Sequence, residues 1–148
     1  MKSATKTFPS TIIAMALACG LLILTGCGKA EKLQAYEFDN DSIPSVNSVV
    51  GERKVNGVSS GTGSDGAYQE YTYESESVTQ DLYDYLLVEL YESGWTPTID
   101  FDLNQIPGTA QMATESIDSG QILLMDVSYE QSGYTIKVTK MEGTITPN

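Results

Sequence analysis

Two alternating runs close to the C-terminal end constrain this chain most. In QILLMDVSYE, residues 121–130, Leu123, Met125, Val127 and Tyr129 recur at every second position. In YTIKVTKM, residues 134–141, Tyr134, Ile136 and Val138 do the same, with Thr135, Lys137 and Thr139 between them. A period of two places one set of side chains on one face of a strand and the other set on the opposite face. Gln131-Ser132-Gly133 is too short to be anything but a turn, so the two runs must pair antiparallel. Upstream, TAQMATES alternates Ala110 with Met112, and Ile117-Asp118-Ser119-Gly120 turns the chain again. These runs predict a three-stranded meander.

Two more strands are predicted ahead of it. AYQEYTYES, residues 67–75, places Tyr71 and Tyr73 on one face, with Glu70, Thr72 and Glu74 opposite. Residues 46–60 carry Val49, Val50, Val55 and Val58 and read as one irregular strand, followed by a loop at Gly61–Gly66. Between the two groups, Val78, Leu82, Leu86 and Leu90 recur at i+4, which predicts an amphipathic helix over 78–92. Ser77 and Gln80 have the spacing of a capping box. Gly94 supplies a left-handed stop, and Trp95 is expected to fold back on Leu90. Residues 96–107, bracketed by Pro97 and Pro107, read as a loop or irregular edge. The predicted class is therefore α+β: a single antiparallel sheet of about five strands, order ββαβββ, with one amphipathic helix packed on one face.

The start of the chain is of another kind. Lys2 and Lys6 precede the fourteen-residue apolar run TIIAMALACGLLIL. About 20 residues are needed to span a bilayer as a helix, so this run reads as a secretion signal. It ends in Leu24-Thr25-Gly26-Cys27. That L-T-G-C motif resembles the lipobox of bacterial lipoproteins. The resemblance covers the first 28 residues or so. It implies signal-peptidase recognition through Leu24, Thr25 and Gly26, cleavage before Cys27, and diacylglycerol (palmitate-type) lipid on the Cys27 sulfur. A thiolate is the nucleophile such S-alkylation needs. The implied location is extracytoplasmic, in a bacterial cell envelope, anchored to a membrane by N-terminal lipid. The expected organisation is a signal peptide at 1–26, a lipidated Cys27 with a polar tether to residue 45, and a small domain over 46–148.

Composition then narrows the function. Loss of residues 1–26 removes Lys2 and Lys6 and no acid, so the mature charge is 6 − 20 = −14. Nucleic acid needs a basic footprint and is excluded as a partner. An anionic membrane surface would also repel such a chain, which leaves lipid as the attachment. Cys19 departs with the signal, Cys27 is used for lipid, and there is no histidine. Cys–His and Ser–His–Asp catalysis and Cys/His zinc sites are therefore absent.

The remaining motifs are weak. Gly61-Thr62-Gly63-Ser64-Asp65-Gly66 spells G-x-G-x-x-G, but a strand follows it where a dinucleotide site needs a helix. Asp100, Asp102 and Asn104 begin an EF-hand-like loop, but Gln105 and Gln111 stand where Gly and Glu are required. No cofactor is expected, and these three residues are only the groups a looser cation site would use, as is the Asp39-Asn40-Asp41 cluster. Asp126 sits opposite the apolar face of its strand. Tyr68 and Tyr85 are the candidates for contact with a partner. The expected role is a non-catalytic accessory or protein-interaction module of the envelope; small-ligand or cation binding and carboxylate-dependent hydrolysis are the alternatives.

Overall fold

The computed structural model describes residues 33–146. Cys27 and the Leu24–Gly26 motif lie outside the described residues.

The fold is mostly β, and this corrects the predicted class. A two-stranded sheet pairs β1 (Ala35–Phe38) with β2 (Asp41–Pro44). A six-stranded antiparallel sheet holds β3 (Lys54–Thr62), β4 (Ala67–Glu74), β5 (Thr96–Pro97), β6 (Gly108–Glu115), β7 (Gln121–Glu130) and β8 (Gly133–Glu142). Its spatial order is β3-β4-β8-β7-β6-β5. Among the described residues there are two short α-helices, α1 (Val46–Val50) and α2 (Val78–Leu82), and α2 runs on into π-helical turns over Tyr83–Leu90. A single five-stranded sheet with one helix is not what forms.

Two segments account for the difference. Residues 35–44, expected to be tether, fold into a hairpin because Tyr36, Phe38 and Ile43 can all reach the core. Burying each is worth about 2 kcal/mol, which outweighs the polar residues around them. Residues 46–50 are helical although three of them are valines. Ser45 caps them, its hydroxyl accepting from Ser48 N–H at 3.3 Å, and Val46 is fully buried.

The meander forms as its alternation predicts. Leu123, Met125, Val127 and Tyr129 of β7 and Tyr134, Ile136 and Val138 of β8 are all buried on one face. β8 then pairs with β4, so the C-terminal strand closes against the second strand of the main sheet. A bulge between Val55 and Gly57 interrupts β3.

The helix lies where its periodicity predicts, with Val78, Leu82, Tyr85, Leu86 and Leu90 buried. A strict four-residue repeat advances roughly 40° per step around an α-helix. The wider π turns offset that drift and keep Leu86 and Leu90 on the sheet. The capping box does not form: Ser77 makes no side-chain cap, and Ser75 Oγ accepts from Ser77 N–H instead, at 2.9 Å. The C-terminal stop does form. Gly94 takes a positive φ of 92°, and Trp95 N–H donates to Leu90 O at 3.0 Å with the indole buried. Among the described residues, no helix is long and apolar enough to cross a membrane.

Candidate ligand-binding face

The hairpin and helix both pack on one face of the six-stranded sheet. The opposite face carries the residues that alternate with the core. They fall into rows that cross the strands. In the first, Glu70 of β4 is opposite Lys137 of β8, Lys137 opposite Asp126 of β7, and Asp126 opposite Gln111 of β6. In the second, Thr72, Thr135, Ser128 and Thr109 line up in the same way. Strands lie about 4.8 Å apart, so each row is a ladder of neighbouring side chains.

Hydrogen bonds order part of this surface. Gln111 Nε2 donates to Asp126 Oδ1 at 2.6 Å, and Thr98 Oγ1 donates to Gln111 Oε1 at 2.5 Å. The Thr72 and Thr135 hydroxyls bond each other at 3.0 Å. Ile99, just beyond β5, overhangs the rows and gives a shallow concavity of about 340 Å³ lined by Glu70, Gln111, Asp126, Thr135 and Lys137.

Lys137 is unusual in its setting. The other described basic residues, Arg53, Lys54 and Lys140, are all in ion pairs. Lys137 stands between two carboxylates in register and pairs with neither; its ammonium lies 5.1 Å from the centre of the Tyr68 ring. The Glu70 carboxylate accepts no hydrogen bond from another described side chain or backbone group. A cation and an anion side by side, neither in an ion pair among the described residues, are groups a ligand can use.

A larger groove, about 1010 Å³, opens at one end of the sheet among Arg53, Glu74, Ser75, Glu130 and Tyr134. Its two cations, Arg53 and Lys54, are already committed. Arg53 donates to Asp81 twice, Nη2 to Oδ1 at 2.6 Å and Nε to Oδ2 at 2.7 Å. Ser75 and Tyr134 hydroxyls donate to Asp81 Oδ2 at 2.6 and 3.1 Å. Burial pushes the Asp81 carboxyl up, but these hydrogen bonds and the guanidinium charge outweigh it, so Asp81 titrates below the usual carboxylate range. Lys54 is held by Glu74. This cluster pins the start of α2 to the residue ahead of β3 and to the start of β8, and serves structure.

A second buried cluster does the same for the hairpin. Lys140 bridges Asp41, at 2.9 Å, and Asp118. Asp41 also accepts from Ser116 Oγ at 2.7 Å and Ile117 N–H at 2.9 Å. Burial raises the Asp41 carboxyl, and Lys140 with the two other donors lowers it further than burial raises it. Asp41 and Asp81, the two carboxylates buried among the described residues, are therefore both held ionised, the opposite of a general acid.

The residues singled out by sequence scatter. Tyr68 lies on the open face beside Lys137. Tyr85 is not on the surface: it is fully buried, its hydroxyl donating to Pro44 O at 2.8 Å. Asp102 Oδ1 accepts from Asn104 N–H and Nδ2 at 2.9 and 3.1 Å, which is a local turn. Among the described residues, no three acidic side chains gather in a way that could hold a metal ion. Asp126 is on the open face, as its alternation places it. Glu70, Gln111 and Lys137 were not singled out by sequence; the signal was their shared parity with Asp126 across four strands, which becomes visible only once the register is known. Comparison with protein-family models, with curated proteins and with solved structures gives no match.

Proposed function

We propose that this chain is a lipid-anchored envelope protein that works by binding rather than catalysis, and that the open face of its six-stranded sheet is the surface it presents. The L-T-G-C motif at Leu24–Cys27 supports the anchor. The observation that carries the reading of the face is its asymmetry. One face is sealed by the hairpin and helix; the other carries no described hairpin or helix and holds Lys137 and Glu70, charged groups with no ion-pair partner among the described residues. Unspent polar groups on a rigid sheet give a partner hydrogen bonds at little ordering cost.

The test is cross-linking of the full chain in its native envelope, beside Cys27→Ser and Thr135→Arg versions. A partner captured by the parent, weakened by Cys27→Ser and lost with Thr135→Arg, is the expected result. A partner that Thr135→Arg retains would remove the open face from the account.

A further inference from the structure

We propose that the concavity over Lys137 binds a small zwitterion, a free α-amino acid; this rests on the reading of the open face as the binding surface. Along one row the face presents Glu70, Lys137 and Asp126: negative, positive, negative, on adjacent strands. A simple anion drawn to Lys137 would meet two carboxylates. A simple cation drawn to Glu70 or Asp126 would meet the ammonium. Each would be opposed by its neighbours, and like charges brought together in this way cost binding energy. A neutral polyol would cover Lys137 and Glu70 without pairing either charge. An α-amino acid carries its ammonium and carboxylate on one carbon, so both signs can be met at once.

The groups fall in place for this. The ligand's carboxylate pairs with Lys137 Nζ, whose competing contact among the described residues is the Tyr68 ring. The ligand's ammonium pairs with Glu70, whose carboxylate has no partner among the described residues, in preference to Asp126, which spends one oxygen on Gln111. The hydroxyls of Thr135 and Ser128 flank the site, and Ile99 offers an apolar wall to the ligand's side chain. The space of about 340 Å³ lies within the range of small-molecule pockets.

Binding to the native state alone raises thermal stability in a saturable way. The full chain in detergent is therefore titrated with the common α-amino acids, and with N-acetyl-alanine, alaninamide and glucose as probes of each half of the recognition. At least one amino acid should raise the melting temperature saturably, the blocked analogues should not, and Lys137→Met and Glu70→Gln should each weaken binding at least tenfold. Both substitutions lie on the open face, and unchanged melting of the ligand-free variants shows that they fold. No response to any amino acid, equal binding of a blocked analogue, binding of glucose alone, or full binding by folded Lys137→Met would overturn the proposal. If amino acids fail while Thr135→Arg still abolishes capture of an envelope partner, only this inference falls. If both fail, the reading of the face falls with it.

Discussion

The phenol oxygens of Tyr36 and Tyr73 lie 2.8 Å apart in the core, where the first strand of the described chain meets the main sheet. Neither ring has access to water, so each hydroxyl depends on its neighbours. Tyr36→Phe should lower the unfolding free energy by about 1–2 kcal/mol, the cost of leaving a buried hydroxyl short of a partner. Tyr36→Phe with Tyr73→Phe should cost less than the sum of the single changes. Urea unfolding in a double-mutant cycle measures this coupling.

Acid should unfold the protein through its two buried ion-pair clusters. The folded values of Asp41 and Asp81 lie below those of the unfolded chain, near pH ~3.9. Their stabilisation is therefore complete above about pH 4 and is lost as pH falls through the folded values. Lys140→Met leaves Asp41 buried without its cation, raises its carboxyl, and should move the acid transition to higher pH. Asp81→Ala should cost about 3 kcal/mol at neutral pH, since it strands Arg53 and the Tyr134 hydroxyl together. Circular dichroism from pH 7 to 2 checks the acid transition, and urea unfolding at pH 7 checks the cost of Asp81→Ala.

Alkali should act through tyrosine. Burial raises Tyr73 to about 12, and it likewise raises Tyr36, Tyr71, Tyr85, Tyr129 and Tyr134. The unfolded chain ionises these phenols near pH ~10. Their contribution to stability is therefore full below that pH and is lost above it, as the folded values are approached. In an ultraviolet titration, these phenolates should appear cooperatively with loss of the far-ultraviolet strand signal, not before it.

Gly133→Ala should be destructive. A Cβ at this position would lie 2.1 Å from the Tyr73 carbonyl oxygen, inside the β4–β8 pairing. Replacing Gly by Ala ordinarily adds about 0.4–1 kcal/mol by restricting the unfolded chain. Here the sign should reverse, with a loss of more than about 2 kcal/mol in chemical unfolding.

Local signals in the sequence were sufficient wherever a segment meets the core along one whole face. The alternation in β7 and β8 and the four-residue repeat from Val78 to Leu90 became the elements they spelled. Failures came where tertiary contact overrode local preference. The stretch around Tyr36, Phe38 and Ile43 reads as polar, yet three apolar side chains in reach of the sheet make it a hairpin. Ser77 has the cap spacing, but Ser75 and Asp81 already satisfy that helix start. Lys140 follows Val138 at the next core-facing position of β8, a visible anomaly in the sequence. Its two partners, Asp41 and Asp118, are remote in the chain, so no local reading finds them. The open-face row is hidden for the same reason: it runs across four strands rather than along one.

On this reading the open face, not the helix side, meets the partner. Photo-cross-linking in the native envelope separates the two, with a benzophenone side chain replacing Tyr68 on the open face or Tyr91, which is exposed on the helix. A discrete adduct is expected from position 68 and none from 91. An adduct from 91 alone would move the binding surface to the helix.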